Sequence, residues 1–133
     1  MIRTFLDSGV LLAAARCAGQ DRERALGVLE DPGRVFLTSP FVHLELVPKA
    51  QFHKQRLEVR FYEEYFRAAE WCRDLDRILA LAEREAAASG LSAMDALHIA
   101  AAHLAEADEF ITTERPEKPL FRTKLVQVSY LFG

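Results

Sequence analysis

Four carboxylates in this chain stand where a folding sequence rarely places charge. Asp7 closes the apolar-rich run Ile2 to Leu6 and precedes Gly9-Val10-Leu11-Leu12-Ala13-Ala14-Ala15. Glu45 interrupts Phe41 to Val47, a segment apolar almost all round, and Asp95 interrupts the equally apolar Ala93 to Ala100. Glu114 follows Phe110-Ile111-Thr112-Thr113. Burying one unpaired carboxylate costs roughly several kcal/mol. Several acids in core-like segments therefore call for a shared compensation. A divalent cation is the simplest, because carboxylates gathered at one point otherwise repel one another.

Each acid also has an ordinary reading. Asp7 can cap the helix that follows it, and Asp95 can be the third residue of a capping box opened by Ser92. Glu45 is too far from its helix start to cap it, which leaves a buried ion pair or a narrow exposed stripe. Glu114 can be a loop charge. None of these readings explains why the acids fall at strand ends and inside buried-looking helices of one chain.

The elements that must position them follow from periodicity and punctuation. Ile2 to Leu6 reads as a strand, Val10 to Cys17 as a buried helix, and Asp21 to Glu30 as a helix with one apolar side. Asp31-Pro32-Gly33 is a turn, and Arg34 to Thr38 a second strand. Ser39-Pro40 starts a helix that runs towards Pro48. Further helices are expected over about His53 to Trp71, Asp74 to Ser89, and Ala93 to about Ala105. Strands are expected at Glu109 to Thr113 and Lys124 to Val128. Strands separated by helices imply an α/β fold, a mostly parallel sheet covered on both faces. Sites in such folds lie at the carboxyl ends of the strands.

Composition bounds the rest. The chain has 133 residues, half of them hydrophobic, with 17 Lys+Arg against 20 Asp+Glu and a net charge of −3. That suits one domain over 1–133 and argues against a protein that coats DNA by neutralising phosphates. With four of the twenty acids committed to one site, seventeen basic residues face sixteen acidic ones, a balance of +1. The acidity is then local and does not exclude an enzyme that acts on nucleic acid through a bound metal ion. No run of residues is apolar enough to span a bilayer. Asp7 and the lone preceding basic residue Arg3 argue against a signal peptide. Cys17 and Cys72 form no CxxC pair. The chain reads as soluble and cytoplasmic.

Four motifs, in order across essentially the whole chain, resemble the PIN-domain family of metal-dependent ribonucleases, including VapC-type toxins. They are Thr4-Phe5-Leu6-Asp7-Ser8-Gly9-Val10-Leu11, Ser39-Pro40-Phe41-Val42-His43-Leu44-Glu45-Leu46, Leu91-Ser92-Ala93-Met94-Asp95-Ala96-Leu97-His98-Ile99-Ala100, and Ala107-Asp108-Glu109-Phe110-Ile111-Thr112-Thr113-Glu114. The third, with its Asp-Ala-Leu-His, is the most specific. Two positions depart from the family pattern. Gly9 stands where Asn or Ser is common, and Glu114 where Asp is common.

The resemblance implies a three-layer α/β/α fold in which Asp7, Glu45, Asp95 and Glu114 converge on one or two Mg²⁺ or Mn²⁺ ions. Oxygen ligands favour these hard cations over zinc. It implies hydrolysis of RNA phosphodiesters. Asp7 and Asp95 are expected as direct ligands, Glu45 as a ligand or the partner of a bound water, and Glu114 as an acid acting through water. Ser8 and Thr113 are expected to support them by hydrogen bonds. Arg115, Lys118, Arg122 and Lys124, against the single acid Glu117, form a basic segment that can guide phosphate or can be an ordinary solvated loop. His98 shares a helix face with Asp95, either as a supporting or core histidine or as a ligand for a transition metal.

The helix Leu57 to Trp71 carries Phe61, Tyr62, Tyr65, Phe66 and Trp71, more aromatics than one core stripe needs. That surplus suggests an interface, either a homodimer or the groove for an antitoxin, unless the helix is simply thickly covered. The expected function is a toxin ribonuclease. The competing readings are a PIN-like RNA- or protein-binding module that cuts weakly or not at all, and a regulatory cation-binding domain.

Overall fold

A computed structural model describes residues 1–133. Its centre is a five-stranded, all-parallel sheet. In chain order the elements are β1 (Ile2–Leu6), α1 (Ser8–Arg16), α2 (Gly19–Leu29), β2 (Arg34–Thr38), α3 (Pro40–Phe52), α4 (Arg56–Ala68), β3 (Glu70–Trp71), α5 (Leu75–Ser89), α6 (Ala93–Leu104), β4 (Glu109–Thr112), a 3₁₀ turn (Pro119–Arg122) and β5 (Val128–Tyr130). The strand order is β3-β2-β1-β4-β5. The α/β/α architecture expected from the sequence is present. β1 is central, and Thr4, Phe5 and Leu6 are each fully buried, as a strand covered on both faces requires. Because β2 and β4 flank β1, the residues that follow all three strands emerge side by side at one edge.

Local chemistry sets the helix starts at that edge. Asp7 caps α1 by accepting from the Ser8 amide at 2.9 Å. The Ser39 hydroxyl accepts from the Phe41 amide at 3.2 Å, with Pro40 in the first turn. The Ser92 hydroxyl accepts from the Asp95 amide at 3.3 Å.

Several helix starts shift by two or three residues, and three further boundaries differ from the sequence reading for a visible reason. α3 passes through Pro48 and continues to Phe52. A proline frees the carbonyl four residues earlier. Here that residue is Leu44, and both Leu44 and Pro48 lie on the solvent side, where water can satisfy the freed group. The aromatic helix stops at Ala68, and Glu70–Trp71 forms a short strand instead, pairing with Leu37 and Thr38. The Trp71 indole N–H donates to the Phe66 carbonyl at 2.7 Å and so closes the end of α4. The last strand is Val128–Tyr130 and not Lys124 to Val128. Residues 123–125 are engaged elsewhere. Thr123 donates its hydroxyl to buried Glu85 at 2.5 Å, and the Leu125 carbonyl meets His103 Nδ1 at 3.0 Å.

Part of the aromatic surplus of α4 is taken up by the chain's own core. Tyr62 and Phe66 are buried, and Phe61, Tyr65 and Trp71 pack against the core cluster. Tyr65 stacks at an angle on Phe36, and Phe66 meets both His43 and Trp71. Phe61, Tyr65 and Trp71 are only partly buried, and Leu57 of α4 is exposed. No helix is long and apolar enough to cross a membrane.

Candidate metal centre

The carboxyl edge of the sheet gathers the chemistry. Asp7, one residue past β1, is 8% exposed. One carboxylate oxygen accepts from the Ser8 amide, and the other accepts from the Thr112 hydroxyl at 2.8 Å. Thr112 ends β4, and its oxygen also accepts from the Glu114 amide at 3.0 Å. One hydroxyl thus ties Asp7 to the backbone of Glu114. The register that pairs Leu6 with Ile111 puts the following residues, Asp7 and Thr112, opposite each other.

Glu45 reaches the same place from α3 and His98 from α6. The Glu45 carboxylate accepts from His98 Nε2 at 2.5 Å. That bond holds the Glu45 carboxyl below the usual glutamate range, against burial, which pushes it up; the imidazole's charge and a hydrogen bond from Ser8 also lower it. One ligand-type atom from each of Asp7, Glu45 and His98 lies within 4.8 Å of the other two.

Asp95 sits half-buried in the first turn of α6, one turn before His98. Its carboxyl is pushed above the usual aspartate range, first by burial and then by the negative charges of Asp7 and Glu114; the Ser92 hydrogen bond and His98 act in the opposite direction. No Lys, Arg or His lies within ion-pair distance of Asp7, Asp95 or Glu114. A cation would relieve that repulsion, and a donor set made up mainly of carboxylates suits a hard divalent ion. The residues present fit a metal.

The structure thus brings Asp7 and Glu45 into one constellation, with Asp95 and Glu114 close enough for their charges to act on it. The ordinary reading of Asp7 also holds, since it caps α1, and half of the capping box at α6 forms, with the Ser92 hydroxyl accepting from the Asp95 amide. Capping and site membership are compatible. Ser8 donates its amide to Asp7 and lies near enough to Glu45 to favour its ionised form. Thr113 does something other than expected, because the hydroxyl bonded to Asp7 belongs to Thr112. Thr113 instead crowds α1: a Cβ built on Gly9 would lie 2.2 Å from Thr113 Oγ1. Gly9, the first departure from the family pattern, is the residue that makes room for this threonine.

Thr112 is a member that residue types alone do not single out, and His98 one whose role they leave open. Their signal in the sequence is faint, a buried-type hydroxyl at the last ladder position and a histidine one turn from an acid. The basic segment divides. Arg115, Lys118, Arg122 and Lys124 are all exposed. Arg122 is partly committed, donating to the Ser89 carbonyl at 3.4 Å, and with Lys124 it borders a cavity of about 460 Å³ that is also lined by Glu85 and Gly90.

An all-parallel sheet with acids gathered at its carboxyl edge makes this an α/β protein with its candidate site where such folds bind ligands. A model of the PIN domain matches residues 4–115, and the chain belongs to the PIN-domain family. Among solved structures, the fold is similar to that of VapBC2 from Rickettsia felis bound to a DNA fragment from their promoter. That match has a TM-score of 0.74 and 13% identity, covering 97% of this chain and 98% of that one. A toxin–antitoxin complex from Klebsiella pneumoniae matches with TM-score 0.66 and 17% identity, covering 92% and 94%. FitAcB from Neisseria gonorrhoeae matches with TM-score 0.66 and 18% identity, covering 97% and 98%. No curated protein matches the chain.

Proposed function

We propose that the chain, as one domain over 1–133, is a metal-dependent endoribonuclease and the toxin of a toxin–antitoxin pair. The observation that carries this reading is the convergence of Asp7, Glu45 and His98 within 4.8 Å beside an Asp95 whose ionisation is opposed by its neighbours' charges. Asp7, Asp95 and Glu45 would hold Mg²⁺ or Mn²⁺, with Glu114 acting through water. The cation would supply neutralisation of charge at the scissile phosphate and acidification of a water molecule.

The chain's own residues do the rest. The Thr112 hydroxyl and the Ser8 amide orient Asp7, and His98 holds Glu45. Glu114, tied to Thr112 through its amide, would bring a fourth carboxylate to the same edge, where its charge acts on Asp95. Arg115 and Lys118, exposed just after Glu114, offer positive charge to the RNA backbone, and Arg122 and Lys124 extend that charge along the same segment. The toxin–antitoxin neighbours support an antitoxin partner for this chain. A homodimer through the aromatic-rich segment 57–71, where Phe61 and Tyr65 are only partly buried, is part of the same proposal. An RNA substrate sets its place in the cytoplasm.

The test is cleavage of single-stranded RNA with Mg²⁺ or Mn²⁺, repeated with chelator and with Asp95→Asn. Cleavage abolished in both controls supports the proposal. Cleavage that survives either one overturns it, and retention of RNA without cleavage supports the binding-module reading instead.

A further inference from the structure

His98 is 1% exposed and stands one helical turn beyond Asp95. Phe5 flanks its ring, with the centroids 6.3 Å apart. Its Nε2 is taken by Glu45, and its Nδ1 is buried with no hydrogen-bond partner. Glu45 has no other cationic partner, and a third of its side chain, 33%, is exposed.

These facts separate two roles that proximity alone leaves together. A carboxylate can only accept, so Nε2 carries the hydrogen and donates it. In the neutral ring Nδ1 is then a bare lone pair. To ligate a cation through Nε2, the ring would have to move its hydrogen to Nδ1, where no acceptor waits. A buried N–H without a partner costs about 1–3 kcal/mol. Histidines that ligate metals almost always donate their second ring N–H to a carboxylate, carbonyl or water. No carboxylate or carbonyl of the chain meets His98 Nδ1.

We propose that His98 is a positioning residue: it donates Nε2–H to Glu45 and fixes that carboxylate at the pit while staying outside the metal's coordination. This rests on the metal centre proposed above. The ring is immobilised between α6 and β1, whereas Glu45 is a flexible side chain with one edge in solvent. Without the imidazole, Glu45 regains rotamers that point away from Asp7, and each must be given up again on binding a cation.

The experiment is a Mn²⁺ titration of the metal-free full-length protein by calorimetry, without RNA. It compares the unchanged chain, His98→Leu, His98→Gln, Glu45→Gln and the double change His98→Leu with Glu45→Gln. His98→Leu is expected to weaken Mn²⁺ binding about 10- to 100-fold. His98→Gln, which keeps an N–H near the place of Nε2, recovers most of that loss. In the Glu45→Gln background His98→Leu costs nothing further, because its effect passes through Glu45. The visible spectrum of the Co²⁺-loaded protein is the same for the unchanged chain and for His98→Gln, since no nitrogen ligand is lost.

Equal weakening by His98→Gln and His98→Leu overturns the inference, as does additivity with Glu45→Gln or a changed Co²⁺ spectrum in His98→Gln. If His98→Leu fails to fold, His98→Gln decides through its Mn²⁺ affinity and Co²⁺ spectrum. Absence of Mn²⁺ binding by the unchanged chain overturns the metal centre itself, and the inference with it. Binding that is intact but independent of His98 overturns only the inference.

Discussion

Opposite edges of the same sheet treat their acids in opposite ways. At the amino edge, Arg34 donates to Glu109 at 2.7 Å, to Asp31 at 3.2 Å and to the Thr4 hydroxyl at 2.8 Å, while Ser129 donates to the other Glu109 oxygen at 2.6 Å. Burial pushes the Glu109 carboxyl up, but Ser129 and Arg34 outweigh it and hold the group below the usual glutamate range. At the carboxyl edge no Lys or Arg meets Asp7, Asp95 or Glu114, and Asp95 is pushed up. The first group of acids is neutralised by the chain and serves stability. The second is left with unbalanced negative charge, which a folded protein tolerates where a ligand completes it.

The contrast breaks most sharply at Asp95. Replacing it with Asn is expected to lower RNA cleavage by more than about 100-fold, beyond what supporting residues cost. The same change leaves the metal-free protein at least as resistant to urea, because it removes repulsion. An Asp95→Asn protein that is both active and less stable would erase the distinction between the edges.

Arg34→Met is the mirror experiment. It strands Glu109 and Asp31 and is expected to cost about 2–3 kcal/mol in urea unfolding, since charged hydrogen bonds in a partly buried site are lost. The Mn²⁺ affinity of the folded fraction stays unchanged. A loss of affinity would show that the edges are coupled through the sheet.

Gly9→Ala probes the carboxyl edge on a smaller scale. The new methyl meets Thr113 Oγ1, so overpacking opposes the usual helix gain from alanine, for a net loss of about 1 kcal/mol. In a Thr113→Ala background the same change becomes stabilising. Thermal unfolding of the four proteins in this cycle measures the contact.

The smallest effect is a pH shift. Glu109 has its folded pKa below the unfolded value, so its contribution is fully present above the ordinary glutamate range. It is lost as pH falls through the lower folded value. Ser129→Ala raises the folded pKa towards the ordinary one, and urea midpoints measured from about pH 6 down to about pH 3 should show a smaller loss in the variant. An identical acid limb would mean that Ser129 adds nothing to the neutralised edge.

Much of this is legible in residue types. Asp7, Ser39 and Ser92 are helix caps whose chemistry acts within two or three residues, so their places follow from local sequence. The strands at Ile2–Leu6 and Arg34–Thr38 are short apolar runs ended by polar residues, and the structure has them at those residues. β5 and β3 depart from the sequence reading because pairing decides them. Leu125 and Val126 look as strand-like as Val128, but the hydrogen bonds of Thr123 to Glu85 and of Leu125 to His103 withdraw the earlier stretch from the ladder.

The site divides along the same line. Sequence alone determined that Asp7, Glu45, Asp95 and Glu114 are acids in places where acids need a reason, because side-chain type and local periodicity are properties of a short window. Tertiary structure decided that Thr112, not Thr113, holds Asp7, that Thr113 requires Gly9, that His98 holds Glu45, and that Tyr62 and Phe66 of α4 are the aromatics taken into the core. Those are contacts between residues as much as 105 positions apart. They depend on strand register and helix packing, where a shift of one residue exchanges one face of a strand for the other.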